Sequence, residues 1–316
     1  MADLPLADSA SRVVTDVATG TEVASQVVTV DGKPFLRTLA RDVPSLGYRV
    51  FAYRLGTPTA FTDPAATGST GLNASTLEND TYRVGVDGNG SIVSLIDKRN
   101  GRQLAGEALN ALASGAVTQA TLTNVGPVSA TLKLTIGGTP ARQVALTLFG
   151  GINRLEIDDR IVNFSVPSAG LYHYRFAFNL PGPSIRFEEL GAIAKPGLTS
   201  EGGDFLPGSR TQYVALNHFV SLVDGAYAAT LSNQDSFAMR IGDSSVSDFD
   251  LASSEINVFA VGSPYTPGIA PSTIRKQAGD RDFRHRVAIF AQAGTYSAAQ
   301  QRRPVDGTGQ ELPGHR

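Results

Sequence analysis

Short runs of β-branched and aromatic residues, each closed by a turn signal, recur along the whole of this 316-residue chain. That punctuation constrains the fold more than any other feature, because it leaves no room for long helices. The 33 glycines and 17 prolines supply the turns, above the roughly 12% that the two make up in ordinary domains. Asp31-Gly32 is a hairpin turn by type, since both residues tolerate positive φ. Asp87-Gly88-Asn89-Gly90 reads the same way. Tyr172–Phe178 alternates, with Tyr172, Tyr174, Phe176 and Phe178 on one side and His173, Arg175 and Ala177 on the other. Only Gly106–Ser114 hints at a helical turn.

The runs fall into blocks. Residues 1–12 read as a loose lead-in. Strands at Arg12–Val17, Glu22–Val30, Phe35–Ala40 and Tyr48–Leu55 then build a small β unit over 1–56. Residues 57–76, rich in Gly, Pro, Ser, Thr and Ala, read as a linker or surface loop. From Leu77 onward strands follow at close spacing, including Val214–Val223 as one run, and end near Ala291. About fifteen strands without a βαβ unit predict an all-β protein, a large β-sandwich over 77–300 behind the small unit. The polar stretch 301–316 reads as a frayed tail.

Composition removes several functions. A net charge of −2 offers no basic field for nucleic acid. With no cysteine there is no disulfide, thiolate metal site or Cys nucleophile. No apolar run is long enough to cross a membrane as a helix. The start, MADLPLADSASR, lacks the basic and apolar regions of an export signal; the compartment stays open, with the cytoplasm as the expectation.

Chemistry-bearing residues are scattered. His173, His218, His285 and His315 have no His neighbour at metal-ligand spacing, so no metal site is expected in this chain. Asp158 and Asp159 are adjacent on a strand and must face opposite sides, so they cannot flank one sugar. Asp248 and Asp250 sit in a polar stretch that reads as a solvated turn. No G-x-S-x-G or phosphate-cradling loop is present, and no catalytic residue is assigned. Asn73, Asn79 and Asn163 begin glycosylation sequons, which a Ser/Thr-rich chain supplies by chance.

Several segments, in order, resemble the C-terminal half of family 38 glycoside hydrolases, the α-mannosidases. Val43-Pro44-Ser45-Leu46-Gly47-Tyr48 is similar to the segment that ends that family's small β-domain, and Val14–Gln26 resembles the strand pair before it. Leu77-Glu78-Asn79-Asp80-Thr81-Tyr82, with Gly90–Lys98 behind it, resembles the opening of the large sandwich and is the sharpest match. Asn153–Asp158 and Ala288–Tyr296 resemble two later strands. The late strand departs from the family pattern, with Ala291-Gln292 where a Pro-His pair is expected.

The resemblance implies a galactose-mutarotase-like supersandwich preceded by a small β unit. It implies mannose-containing glycans as substrate and an N-terminal catalytic domain as partner, with zinc, nucleophile and general acid in that domain. It implies that this chain alone is silent. Glu78, Asn79 and Tyr82 are the substrate-binding candidates, lying near the domain junction or the sugar; the alternative is that Glu78-Asn79 only sets the first strand. Two further functions stay open. One is a stand-alone carbohydrate-binding module, disfavoured by the absence of Trp. The other is a sugar epimerase or lyase using His173, His218 or His285 with Glu188 or Asp280.

Overall fold

The computed structural model describes residues 1–44, 46–164, 171–225, 227–262 and 281–293. The expected tail 301–316, Asp280 and His315 lie outside the described residues. Among the described residues there are 24 strands, no α-helix and one 3-10 turn at Thr199–Glu201, so the all-β expectation holds. The Gly106–Ser114 hint of a helix does not. That segment is an irregular crossover held by lone bridges, Ile92 to Leu109 and Ala111 to Arg175.

The main layer is a nine-stranded antiparallel sheet. Its order is Val117–Thr123, Ser129–Ile136, Ala141–Phe149, Leu155–Val162, Phe283–Ala293, Tyr227–Asn233, Phe219–Asp224, Ser184–Glu189 and Ala192–Ala194. A four-stranded sheet (Leu171–Ala177, Glu255–Gly262, Ala238–Ile241, Val214–Ala215) and a five-stranded sheet (Arg102–Gln103, Ile92–Asp97, Tyr82–Asp87, Ala74–Glu78, Thr67–Ser69) contribute to the same core. Leu132, Leu146, Ile157 and Ile289 from the large sheet meet Tyr174, Phe176 and Ile256 from the four-stranded one and Val84 and Leu95 from the five-stranded one. Alternation does this, because a strand with one face buried must present every second residue to the core. Tyr174, Phe176 and Phe178 are buried as the sequence pattern predicts.

The residues before 57 form two three-stranded sheets. One pairs Ala2–Pro5 with Lys33–Thr38 and Ser25–Val30; the other pairs Glu22–Val23 with Arg12–Asp16 and Phe51–Leu55. The expected lead-in therefore contains a strand, whose pairing partner lies some thirty residues on. Asp31 and Gly32 close the hairpin with φ of 50° and 75°, which fits a turn with both central residues left-handed.

Two further expectations are corrected. The stretch 57–76, read as linker or loop, holds Thr67–Ser69 and the start of Ala74–Glu78, which pair with each other. Their threonines and serines suit an edge strand. The run Val214–Val223 is broken at Leu216-Asn217-His218 and serves two sheets. The Asn217 N–H donates to the Glu188 carbonyl at 3.0 Å, and the Asn233 N–H donates to the His218 carbonyl at 2.7 Å. Those bonds turn the chain out of one sheet and into the next.

Candidate functional site

On five strands of the large sheet, from Val117–Thr123 to Phe283–Ala293, the face turned away from the core is polar. Register lines these side chains up in rows. Thr121, Lys133, Ala145, Asp158 and Arg286 stand opposite one another in turn. Two residues along each strand, one flanking row carries Thr131, Thr147 and Glu156. The row on the other side carries Thr135, Gln143, Arg160 and Arg284. The sheet containing Ala2–Pro5 lies against this face. Its Asp31-Gly32 turn, Asp3 and Arg37 complete a cleft of about 460 Å³, within the range of small-ligand sites.

Charge in the cleft is almost fully paired. Arg284 grips Asp158 through two bonds of 2.9 and 2.5 Å. Arg160 joins Asp158 to Asp31 on the hairpin above. Arg37 holds Asp3 at 2.9 and 2.7 Å, Arg286 holds Asp235 at 2.7 Å, and Arg154 holds Glu156 at 2.6 Å. Among the described residues Lys133 alone of the lining cations has no hydrogen bond or ion pair.

The two carboxylates on strand Leu155–Val162 are driven apart. Burial pushes Glu156 up from the usual carboxylate range, only partly opposed by Arg154 and Arg37. Burial also pushes on Asp158, but the hydrogen bonds from Arg284 and Arg160 outweigh it and hold that group below the usual range. One strand face thus offers two carboxyls shifted in opposite directions, about 7 Å apart by strand geometry. Hydroxyls and amides around them suit a polyhydroxylated ligand. No aromatic ring lines the cleft among the described residues.

None of the residues singled out from the sequence as substrate-binding lines this cleft. Asn79 and Tyr82 are buried. Asn79 Oδ1 accepts the N–H groups of Thr81 and Tyr82 at 2.9 and 2.6 Å, and its Nδ2 donates to the Phe149 carbonyl at 2.7 Å. Tyr82 Oη accepts the Ala291 N–H at 2.8 Å and bonds the Asn153 side chain. Glu78 stays half-exposed between Arg83 and Lys98, each at 2.7 Å. Asn79 also lacks the exposure a glycosylated asparagine needs, whereas Asn73 and Asn163 are exposed.

Among the described residues, the histidines do not come together either. His285 is buried in the core, where Nε2 donates to the Ala260 carbonyl at 3.1 Å. His173 stacks on Tyr213 and shares a 3.0 Å hydrogen bond with its hydroxyl; burial pushes it down to about 4, with Arg240 adding to the effect. His218 does pair with Glu188 at 3.1 Å, but at the other end of the large sheet from the cleft. Asp158 and Asp159 face opposite sides as predicted. Asp159 is in the core, held by Arg142, Asn110 and Tyr174. Asp250 anchors a turn by accepting the Asp243 N–H at 3.0 Å.

The segments that carry the family resemblance meet at one place. Tyr82 from the first, Asn153 from the next and Ala291 from the last share hydrogen bonds, and the Ala291 carbonyl also accepts from Arg99 at 2.7 Å. Asp97, fully buried, accepts from Arg99 and from the Tyr227 hydroxyl at 2.7 Å. Lys98 closes the node by donating to the Asn79 carbonyl at 2.8 Å.

No protein-family model matches the sequence, and no curated protein matches it. Solved structures do match the fold. An α-mannosidase from Enterococcus faecalis V583 aligns over 92% of this chain with a TM-score of 0.60 and 14% identity. A glycosyl hydrolase family 38 protein from Enterococcus faecalis aligns over 91% with a TM-score of 0.57 and 14% identity. This chain spans 40% and 39% of those two chains. A galactose mutarotase-like protein from Lactobacillus casei ATCC 334 aligns over 70% of this chain and 100% of its own, at a TM-score of 0.43 and 14% identity. The likeness to family 38 enzymes read from the motifs is met again in the fold.

Proposed function

We propose that this chain is the C-terminal β-sandwich region of an α-mannosidase-like glycoside hydrolase, acting on terminal α-mannosides beside an N-terminal catalytic domain that carries zinc. The observation that carries this reading is the alignment of 92% of the chain with 40% of an α-mannosidase structure. The motif resemblance, reached independently, supports the same portion of that family.

Among the described residues no three His, Asp or Glu side chains converge so as to hold a metal. No step of hydrolysis is assigned to these residues. A second support is the apolar strip on the small unit. Leu46 and Tyr48 are 94% and 84% exposed, with Val43, Val50, Tyr53 and Leu55 exposed beside them in sequence. Among the described residues, strand Phe51–Leu55 has a partner on one edge only. An exposed apolar strip along an open edge is what a covering domain would bury.

Hydrolysis of an aryl α-mannoside tests the reading. The chain alone, with Zn²⁺ or with chelator, is expected to show no turnover. A separately produced family 38 N-terminal domain is expected to gain at least tenfold in zinc-dependent turnover when this chain is added. Chelator-sensitive turnover by the chain alone, or no gain at saturating chain, would overturn it.

A further inference from the structure

The cleft between the small sheet and the large one has a feature the α-mannosidase reading does not use. Its floor is Ala145, the smallest side chain in its row, with Lys133 on one neighbouring strand and Asp158 on the other. Gln143 and Thr147 flank Ala145 on its own strand. The cation and the carboxylate thus stand across a vacant floor at two strand spacings, roughly 9–10 Å, a gap that fits one sugar ring.

Charge decides which sugar. Every lining arginine is matched by an aspartate, Arg37 by Asp3, Arg160 and Arg284 by Asp31 and Asp158, Arg286 by Asp235, and the lining Glu156 is matched by Arg154. Lys133 is left over, so the cleft has room for one negative charge. A phosphate ester brings about 1.5 to 2 charges at neutral pH and overfills it; a carboxylate brings one. No aromatic ring lines the cleft among the described residues, so stacking adds nothing for any sugar and the charge contact decides between them. We propose that this cleft binds a monosaccharide-sized sugar acid, its carboxylate on Lys133 and its ring hydroxyls donating to Asp158 and hydrogen-bonded by Gln143 and Thr147. The proposal stands independently of the α-mannosidase reading.

Calorimetric titration of the full chain with D-glucuronate, D-glucose and D-glucose 6-phosphate tests it. Glucuronate is expected to bind at least tenfold more tightly than glucose and more tightly than the phosphate ester. Lys133→Gln, on an exposed side chain, is expected to remove that preference. Ala145→Leu is expected to weaken glucuronate at least tenfold by filling the floor. Both variants are to be read only with unchanged thermal unfolding; if Ala145→Leu unfolds early, Ala145→Val is the substitute. Equal affinity for glucuronate and glucose, tighter binding of the phosphate ester, no heat with any sugar at 10 mM, or glucuronate binding that survives Lys133→Gln would each overturn the proposal.

Discussion

Asn79→Ala separates the two roles the sequence allows for this residue, substrate contact and strand setting. The wild-type side chain is 5% exposed and satisfies three backbone groups, two N–H donors at Thr81 and Tyr82 and the Phe149 carbonyl. Alanine reaches none of them. A buried polar group left without its partner costs about 1–3 kcal/mol. The two N–H groups carry most of this and the carbonyl, with its second lone pair, less, for a total of about 3–5 kcal/mol. Glu78→Ala is the control one residue away. Its partners Arg83 and Lys98 are 55% and 33% exposed, and an ion pair of that kind contributes about 0–1 kcal/mol. Urea unfolding followed by far-ultraviolet circular dichroism reads both. A loss for Asn79→Ala no larger than that for Glu78→Ala would refute the structural role and return Asn79 to the list of ligand contacts.

Other outcomes follow from the same contacts. Hydrogen bonds from Arg83 and Lys98 hold Glu78 down from 4.5 to about 2, so its folded form binds fewer protons than its unfolded form in that window. Its contribution is present above about 4.5 and lost as pH falls toward 2; Glu78→Gln should flatten the acid limb of stability against pH there, and an unchanged limb would contradict the assignment. Arg142→Met leaves the fully buried Asp159 carboxylate without its cation and should cost about 3–5 kcal/mol in unfolding experiments. The Arg142→Met/Asp159→Leu pair should lose less than Arg142→Met alone, and a larger loss would show that the pair is not the unit. Leu46→Ser/Tyr48→Ser should leave unfolding within about 0.5 kcal/mol and lower self-association in sedimentation; unchanged association would mean the strip is not sticky.

What could be read from the sequence was what local chemistry decides. Asp31-Gly32 and Asp87–Gly90 turn where they must, because positive φ is needed and few residue pairs accept it; at Gly90, with φ of 77°, an added Cβ would stand 2.2 Å from Ile136 Cδ1. Tyr174, Phe176 and Phe178 are buried on the predicted face because alternation is a property of the strand, whereas Tyr172, beyond a register shift, is only partly buried. Ala2–Pro5 was not legible, since it is a strand only by pairing with residues some thirty or more positions away. The cleft was hidden for the same reason. Lys133, Ala145 and Asp158 look like ordinary outward-facing residues on three strands, and only register sets them in one row. The motifs point the opposite way. Asn79 and Tyr82, from the sharpest motif, are buried and spend their side chains on hydrogen bonds within the sandwich. In this chain the motif residues Asn79 and Tyr82 are buried, while the residues that line the cleft carry no motif. Any test of function has to begin from the cleft and the exposed strip rather than from the motifs.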